Sequence, residues 1–456
     1  MSKLSIKTLI STIVVMLFTV EGNASVESEA TQLLIKRNAE FEKQIIQLSD
    51  NIYTAVGYGV SPISMIEGAD GIIIIDTGID ANIGQQVREK FREITVKPVK
   101  GIIFTHGHGD HTGGAIAFKD NTDVAVWAHH GYGHEASFAH KAGLTIQQKR
   151  GARQGGFLLL PEQRINNGVA QAYWPKRKGG AFDAASDTYP TDWLRDNRQT
   201  ISIAGIELQL VAAAGETDDQ LYVYYPGKRA LFSGDNFYKS WPNIYPIRGV
   251  AYRDVGQWIK SLEDMLKEKP SILVGGHTRP ILGTEKVAET LSNYHEAISF
   301  LFNKTIEGMN LGLTPNQLVD YVILPDKFKN VDYLKPYYGH PEWAIRSIFN
   351  GYLGWFDGNP SNLFPLSDKE LATRTAELAG GVDVLIKRAE QALLKNDPQW
   401  AAQLCDHILA LEPNNKETLQ VKAKALTKLA ESLLTATGRN YYLTVAKELI
   451  NKANKL

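Results

Sequence analysis

The segment Thr105-His106-Gly107-His108-Gly109-Asp110-His111 places four metal-ligand side chains within six residues, in a chain of 456 residues that has only eleven histidines. Imidazole and carboxylate donors without thiolate suit Zn²⁺ through nitrogen and oxygen. Gly107 and Gly109 let the backbone curl, so that several of these side chains converge. His106 and His108 can hold one ion while Asp110 serves another, which favours two metals over one. A metal pair sharing one water lowers its pKa toward neutrality and polarises a substrate, the chemistry of a hydrolase. Cys405 is the only cysteine, which excludes an internal disulfide framework and a cysteine-based metal site.

The elements that must position this cluster are legible as alternating runs. Residues 99–104 form an apolar strand ending where the cluster begins. Upstream, 52–56, 64–67 and Gly71-Ile72-Ile73-Ile74-Ile75-Asp76 read as strands, the last closing on a Thr77-Gly78 turn. A helix is predicted from about 80 to 95, a strand near 123–128 and a helix near 132–148. Strands follow near 199–213, 221–225 and 229–233, then helix 254–268 and strand 271–274. Strands interleaved with helices predict α/β layers around a largely buried sheet. Residues 28–48 read as a polar helical lead-in. The Gly-, Lys-, Arg- and Pro-rich stretch 150–198 reads as a long insertion over one end of the sheet.

From about 284 the pattern is helical throughout. Over 385–434, Ala and Leu recur at helical spacing, with breaks at Asp397-Pro398 and Pro413-Asn414-Asn415. This resembles a tetratricopeptide-type hairpin and its successor. One such unit cannot bury its own face, so it must pack on the preceding domain or on another subunit. Trp355, Phe356, Trp400 and Cys405 are expected in the core.

Charge and the amino-terminal residues bound the setting. Lys and Arg number 49 against 50 Asp and Glu, a net charge of −1 without blocks of one sign, which argues against nucleic acid or an anionic membrane as partner. Lys3 and Lys7 precede an apolar run over 9–20 and a small-residue exit near Ala24, the pattern of a signal peptide over 1–24. That run is shorter than the roughly 20 residues a membrane span needs, so no stable anchor is expected. A secreted protein without disulfides suits a bacterial periplasm. The expected organisation is a catalytic domain over 25–290 and an all-α domain over 291–456.

A His-x-His-x-Asp-His motif after a strand resembles the metallo-β-lactamase superfamily. The resemblance implies an αββα sandwich, and Asp76 matches that superfamily's early Asp beside the metals. In most members a His in a Gly-rich turn completes the first zinc site. The equivalent stretch here, 211–219, has no His and offers Glu216. Asp235, at the end of a strand, stands where a bridging carboxylate belongs, and His277 in Gly275-Gly276-His277-Thr278 completes the second site. Glu in place of His resembles the alkyl sulfatase branch, and the 19-residue step from Glu216 to Asp235 agrees with it. Asn243-Ile244-Tyr245-Pro246-Ile247-Arg248-Gly249 is similar to that branch's N-L-Y-x-L-R-G segment, in which Asn and Arg bind sulfate. Residues 352–360 and 439–444 match two further signatures.

The resemblance therefore implies two Zn²⁺ per chain, held by His106, His108 and Glu216 and by Asp110, His111, Asp235 and His277. Asp110 and Asp235 would flank a metal-bound hydroxide that acts as the nucleophile. Asn243, Tyr245 and Arg248 would contact a sulfate ester, split into alcohol and inorganic sulfate, and the all-α domain would form a homodimer. Arg248 could instead be a surface ion-pair partner, and Tyr245 could simply pack. Two departures matter. Trp343 stands where the branch's Y-G-x-x-S-H-N stretch has a His, leaving His340 as a substitute donor to the leaving group. The chain also ends soon after the 439–444 signature, without the branch's sterol-carrier-like domain, which favours a smaller or more polar ester. Carboxylic esters, lactones or β-lactams are the alternative substrates, and a helical-repeat binding protein with an inactive metal site is the alternative class.

Overall fold

The computed structural model describes residues 27–119, 124–171 and 188–456. The expected leader over 1–24 lies outside them. Among the described residues, thirteen strands form two sheets. The first contains β1 (Gln44–Gln47), β2 (Ile52–Val56), β3 (Ile63–Glu67), β4 (Ile72–Ile75), β5 (Val99–Ile103), β6 (Ala125–His129) and β7 (Asp192–Leu194), in that spatial order. The second contains β8 (Arg198–Ile203), β9 (Ile206–Ala212), β10 (Leu221–Tyr225), β11 (Ala230–Phe232), β12 (Ile272–Val274) and β13 (Ile281–Leu282), again in sequential order. β4 through β7 run parallel, as do β11 and β12; the other neighbours are antiparallel.

The four isoleucines of β4 explain the layering. Successive strand side chains point to opposite faces. Ile73 and Ile75 face the second sheet, packing with Leu208, Leu221, Val223 and Val274. Ile72 and Ile74 face outward, where Ile83, Val87 and Phe91 of a helix cover them. A strand buried on both faces needs an unbroken apolar run, and each such side chain contributes roughly 1.5–3 kcal/mol. The outer face of the second sheet is covered by a core containing Trp258, Leu262, Tyr294 and Ile298. Helix, sheet, sheet, helix is thus the order of layers, the αββα arrangement expected from the motif.

The helices are α1 (Glu29–Arg37), α2 (Ala81–Arg92), α3 (Gly109–Thr112), α4 (His134–Lys141), α5 (Ile146–Gln154), α6 (Val255–Lys267) and α7 (Thr284–Asn310). Beyond them come α8 (Pro315–Tyr321), α9 (Asp326–Lys329), α10 (Pro341–Leu353), α11 (Asp368–Ala379), α12 (Val382–Leu394), α13 (Pro398–Leu411), α14 (Lys416–Glu431) and α15 (Ala436–Ala453). The breaks read from the sequence are helix starts: Asp397 caps α13 with Pro398 in its first turn, and Asn415 caps α14. α12 packs on α13, α13 on α14 and α14 on α15, and α15 also packs on α5.

Four local expectations need correction. The lead-in over 28–48 is helical only to Arg37, passes through a 3₁₀ turn and becomes β1, whose pairing with β2 overrides its polar composition. The helix near 132–148 is two helices, parted around Gly143 at φ +68°, a conformation glycine adopts without strain. The stretch 150–198 is no single cover: it ends α5, contributes β7 to the first sheet, and lies outside the described residues over 172–187. Trp355 is 72% exposed and Trp400 49%, so neither is a core residue.

Cys405 is fully buried among Leu385, Leu404 and Ile408, and burial pushes its thiol up to about 12. Native protein should therefore resist a thiol-modifying disulfide reagent at pH 8 and react with one equivalent after denaturation. Rapid native labelling would contradict this packing.

Candidate metal centre

The carboxyl ends of β4, β5, β11 and β12 open on one edge of the sandwich and deliver the cluster. His106, His108, Asp110 and His111 follow β5, Glu216 follows β9, Asp235 follows β11 and His277 follows β12. Asp76, just past β4, organises the loop. Its Oδ1 accepts from the Thr105 backbone N–H at 2.8 Å and its Oδ2 from the Thr105 hydroxyl at 2.9 Å. The His111 Nδ1 lies 2.7 Å from Asp76 Oδ2, which turns its Nε2 inward. His277 Nδ1 is 2.9 Å from the Val60 carbonyl and His106 Nδ1 is 3.1 Å from the Thr105 hydroxyl. Gly107 is required by space, since a Cβ there would meet Asp219 Oδ2 at 2.7 Å; around Gly109 the space is open.

The inward atoms fit a cation better than they fit each other. Among the described residues, the Nε2 atoms of His106, His108 and His111 and Asp235 Oδ1 are buried without hydrogen-bond partners. Asp235 lies 3.2 Å from His111 Nε2, 3.2 Å from His277 Nε2 and 3.9 Å from His106 Nε2. Asp110 Oδ2 lies 3.8 Å from both His111 and His277. Ligands about 2.0–2.2 Å from a tetrahedral zinc stand roughly 3.3–3.6 Å apart, and the separations here, 3.2 to 3.9 Å, fall on either side of that spacing. Among the described residues, three groups have ligand atoms within 4.8 Å of one another: Asp110, His111 and His277; His108, Glu216 and Asp235; and His106, His111 and Asp235. Asp235 occurs in two of them, as a shared carboxylate would. His106 falls beside His111 and Asp235, while His108 falls with Glu216.

Electrostatics point the same way. Burial and the neighbouring imidazoles hold His106 well below its ordinary pKa, so it stays neutral and ready to ligate. Burial opposes charge on His111, yet Asp235, Asp76 and Asp110 outweigh it and raise its pKa. Burial likewise pushes Asp235 up, but His277 and His111 prevail and hold it well below the carboxylate range. The carboxylates thus draw protons onto buried imidazoles, a positive charge that a metal ion would supply instead.

Residues 56–277 match the metallo-beta-lactamase superfamily and residues 314–452 the alkyl sulfatase dimerisation family. The chain is 34% identical to a linear primary-alkylsulfatase of Pseudomonas sp. over 397 residues, covering 85% of this chain and 74% of that protein. It belongs to the alkylsulfatase branch of the metallo-β-lactamase superfamily. An alkyl/aryl-sulfatase of Saccharomyces cerevisiae is 27% identical over 417 residues, covering 89% of this chain and 64% of that one. The structure of the stereoselective inverting sec-alkylsulfatase from Pseudomonas sp. matches with a TM-score of 0.84 at 26% identity, covering 94% of this chain and 69% of that chain.

In this alkylsulfatase-branch chain the centre opens on a cavity of about 390 Å³ lined by His108, Asp110, Glu216, Asp235, Arg248 and Tyr338, among others. Arg248 therefore reaches the site. Asn243 and Tyr245 are not among the lining residues. Asn243 is buried, its backbone N–H donating to the Tyr238 hydroxyl at 2.7 Å and its carbonyl accepting from Arg253 at 2.7 Å, while its Nδ2 has no hydrogen-bond partner among the described residues. Tyr245 is half-buried. His340 caps the start of α10, with Nδ1 accepting from the Glu342 N–H, and lines a different cavity beside Trp241 and Phe328. It does not face the metal cluster and is no substitute donor. Trp343 packs toward Gly438 of α15. Tyr338 lines the cavity instead, its ring edge-on to Tyr238.

Sequence reasoning missed Arg253 and Glu135. Arg253 Nη1 contacts Glu216 Oε1 at 2.6 Å, and both side chains are 2% exposed. A buried glutamate demands a countercharge, but nothing in the spacing names which arginine provides it. Glu135, from the first turn of α4, lies 3.6 Å from His108 Nε2 and 3.4 Å from Arg248 Nη2. His134 beside it is exposed and paired with Asp218 at 2.5 Å, in keeping with a surface role.

Proposed function

We propose that this protein hydrolyses sulfate esters to an alcohol and inorganic sulfate, with two zinc ions per chain. The observation that carries the reading is Arg248 on the wall of the cavity that holds the unpartnered imidazole nitrogens and Asp235. His106, His108 and Glu216 would hold one ion, Asp110, His111 and His277 the other, with Asp235 between them. When bound, the pair lowers the pKa of a water and polarises the ester. Arg248 presents a planar donor fork to the sulfate oxygens and orients the ester bond toward the metals. Asp76 keeps His111 in the tautomer that ligates. With Trp343 at the histidine position, the Tyr338 phenol is the hydroxyl available to hydrogen-bond the departing oxygen.

The matched dimerisation family and the exposed apolar side chains Leu353, Trp355, Phe364 and Leu378 support a homodimer through the all-α domain. Catalytic and helical domains over 25–290 and 291–456 and secretion to a periplasm remain part of the reading.

A panel of alkyl sulfates, aryl sulfates, a lactone and nitrocefin tests it. Zinc-dependent sulfate release is expected. Arg248→Ala should lower kcat/KM for sulfate esters by about 10- to 100-fold, the loss of a charge-assisted hydrogen bond, and leave any lactone turnover unchanged. Zinc-dependent nitrocefin turnover without sulfate release would overturn the sulfatase reading.

A further inference from the structure

The residues flanking Arg248 have no helix or strand of their own, yet their backbone groups end on one helix. The Ile247 carbonyl accepts from Arg150 Nε at 3.1 Å and Nη2 at 2.7 Å. The Arg248 backbone N–H donates to Gln154 Oε1 at 2.9 Å. The Gly249 carbonyl accepts from Gln147 Nε2. Gln147, Arg150 and Gln154 are spaced three and four apart, so they share one face of α5. Among the described residues, the Arg248 guanidinium itself meets only Glu135, at 3.4 Å. Its direction is therefore set chiefly by where the backbone is held.

A nine-residue helix is too short to be stable alone, so something must hold α5 in turn. That support comes from α15 in the C-terminal helical region. Arg153 of α5 pairs with Glu448, Nε to Oε1 at 3.1 Å, and reaches the Tyr441 hydroxyl at 3.4 Å. Asn440, buried, donates from Nδ2 to the Gln154 carbonyl at 3.5 Å and to the Asn166 carbonyl at 3.3 Å. Lys447 donates to the Leu158 carbonyl at 2.7 Å. The Arg439–Thr444 stretch, which the metal chemistry leaves without a role, thus lies at this junction.

We infer that α5 is a bracket through which α15 fixes the backbone of Arg248, making Gln154, Arg150 and Asn440 positioning residues for the anionic end of the substrate. The catalytic cavity is then completed by the helical region rather than merely attached to it. The inference rests on the sulfate reading of Arg248.

A double-mutant cycle on the zinc-loaded full-length protein tests it, with inorganic sulfate as inhibitor and an alkyl sulfate as substrate. Gln154→Ala should raise KM and the sulfate Ki about tenfold, as loss of a buried hydrogen bond does, with kcat changed less than about threefold. Gln154→Glu keeps the acceptor but adds a negative charge to the same cavity wall, so it should restore the loss only in part. In an Arg248→Ala background, Gln154→Ala should add less than about twofold, because the group it positions is gone. If Arg248→Ala alone leaves the sulfate Ki unchanged, the sulfate reading fails and the bracket with it. If Arg248→Ala weakens sulfate but Gln154→Ala does not, or costs the same in both backgrounds, the bracket alone is overturned. Should Gln154→Ala not fold, the same cycle with Arg150→Met, at a half-buried position, decides the matter by the same outcomes.

Discussion

Asp235→Asn should reduce kcat/KM for a sulfate ester by on the order of 10³-fold or more, about 4 kcal/mol of barrier. The asparagine has nearly the same shape, so the side chain still fits beside Gly276, where a Cβ would lie 1.8 Å from Asp235 Oδ1. What changes is charge and donor count. The carboxylate places two anionic oxygens among His106, His111 and His277, whereas the amide offers one neutral oxygen and an NH₂ group that repels a cation. Zinc measured per chain by atomic absorption should fall from two in the parent to one or fewer in the variant. Thermal unfolding in excess chelator should show the variant still folded, separating loss of metal from loss of structure. A variant that keeps both zincs and parental turnover would remove Asp235 from the centre. Fewer than one zinc in the parent, purified without chelator, would sink the two-metal reading itself.

Arg253→Leu should destabilise the chelated protein by about 3–5 kcal/mol, the usual consequence of leaving one member of a buried ion pair without its partner. Glu216 and Arg253 are both almost fully buried, and burial already raises the Glu216 pKa despite the guanidinium 2.6 Å away. Arg253 also supports the Asn243 carbonyl at 2.7 Å, so its removal loosens the segment leading to Arg248. A zinc ion beside Glu216 would supply countercharge in place of the guanidinium, so the loss should shrink when metal is saturating. Urea unfolding midpoints with chelator and with zinc measure the difference. Arg253→Leu combined with Glu216→Leu should recover most of the stability in chelator, because no buried charge is then stranded. Equal stability of parent and Arg253→Leu in chelator would mean that the guanidinium does not support the buried Glu216 charge.

The metal loop was legible because its ligands are contiguous: a strand, a curl at Gly107, and donors at fixed short spacing depend on local backbone alone. The same holds for β4, whose four isoleucines can be satisfied only between two apolar layers, and for the helix starts at Asp397-Pro398 and Asn415. Groups that meet across the fold were not legible. Which imidazoles surround Asp235 follows from β5, β11 and β12 ending at one edge, a consequence of strand order. Arg253 and Glu135 carry no motif, and they matter because packing leaves Glu216, His108 and Arg248 beside them. His340 and Tyr338 differ by two residues, yet α10 turns one toward another cavity while Tyr338 lines the metal site. Trp355 has the composition of a core residue and lies in solvent, because no described element covers it. The sequence by itself determined the donor types gathered in the loop and the layered fold, since both follow from residue type and short-range periodicity. Only the tertiary structure decided which charges face one another and that α15 reaches Arg248 through α5, because those contacts join residues from tens to nearly three hundred positions apart.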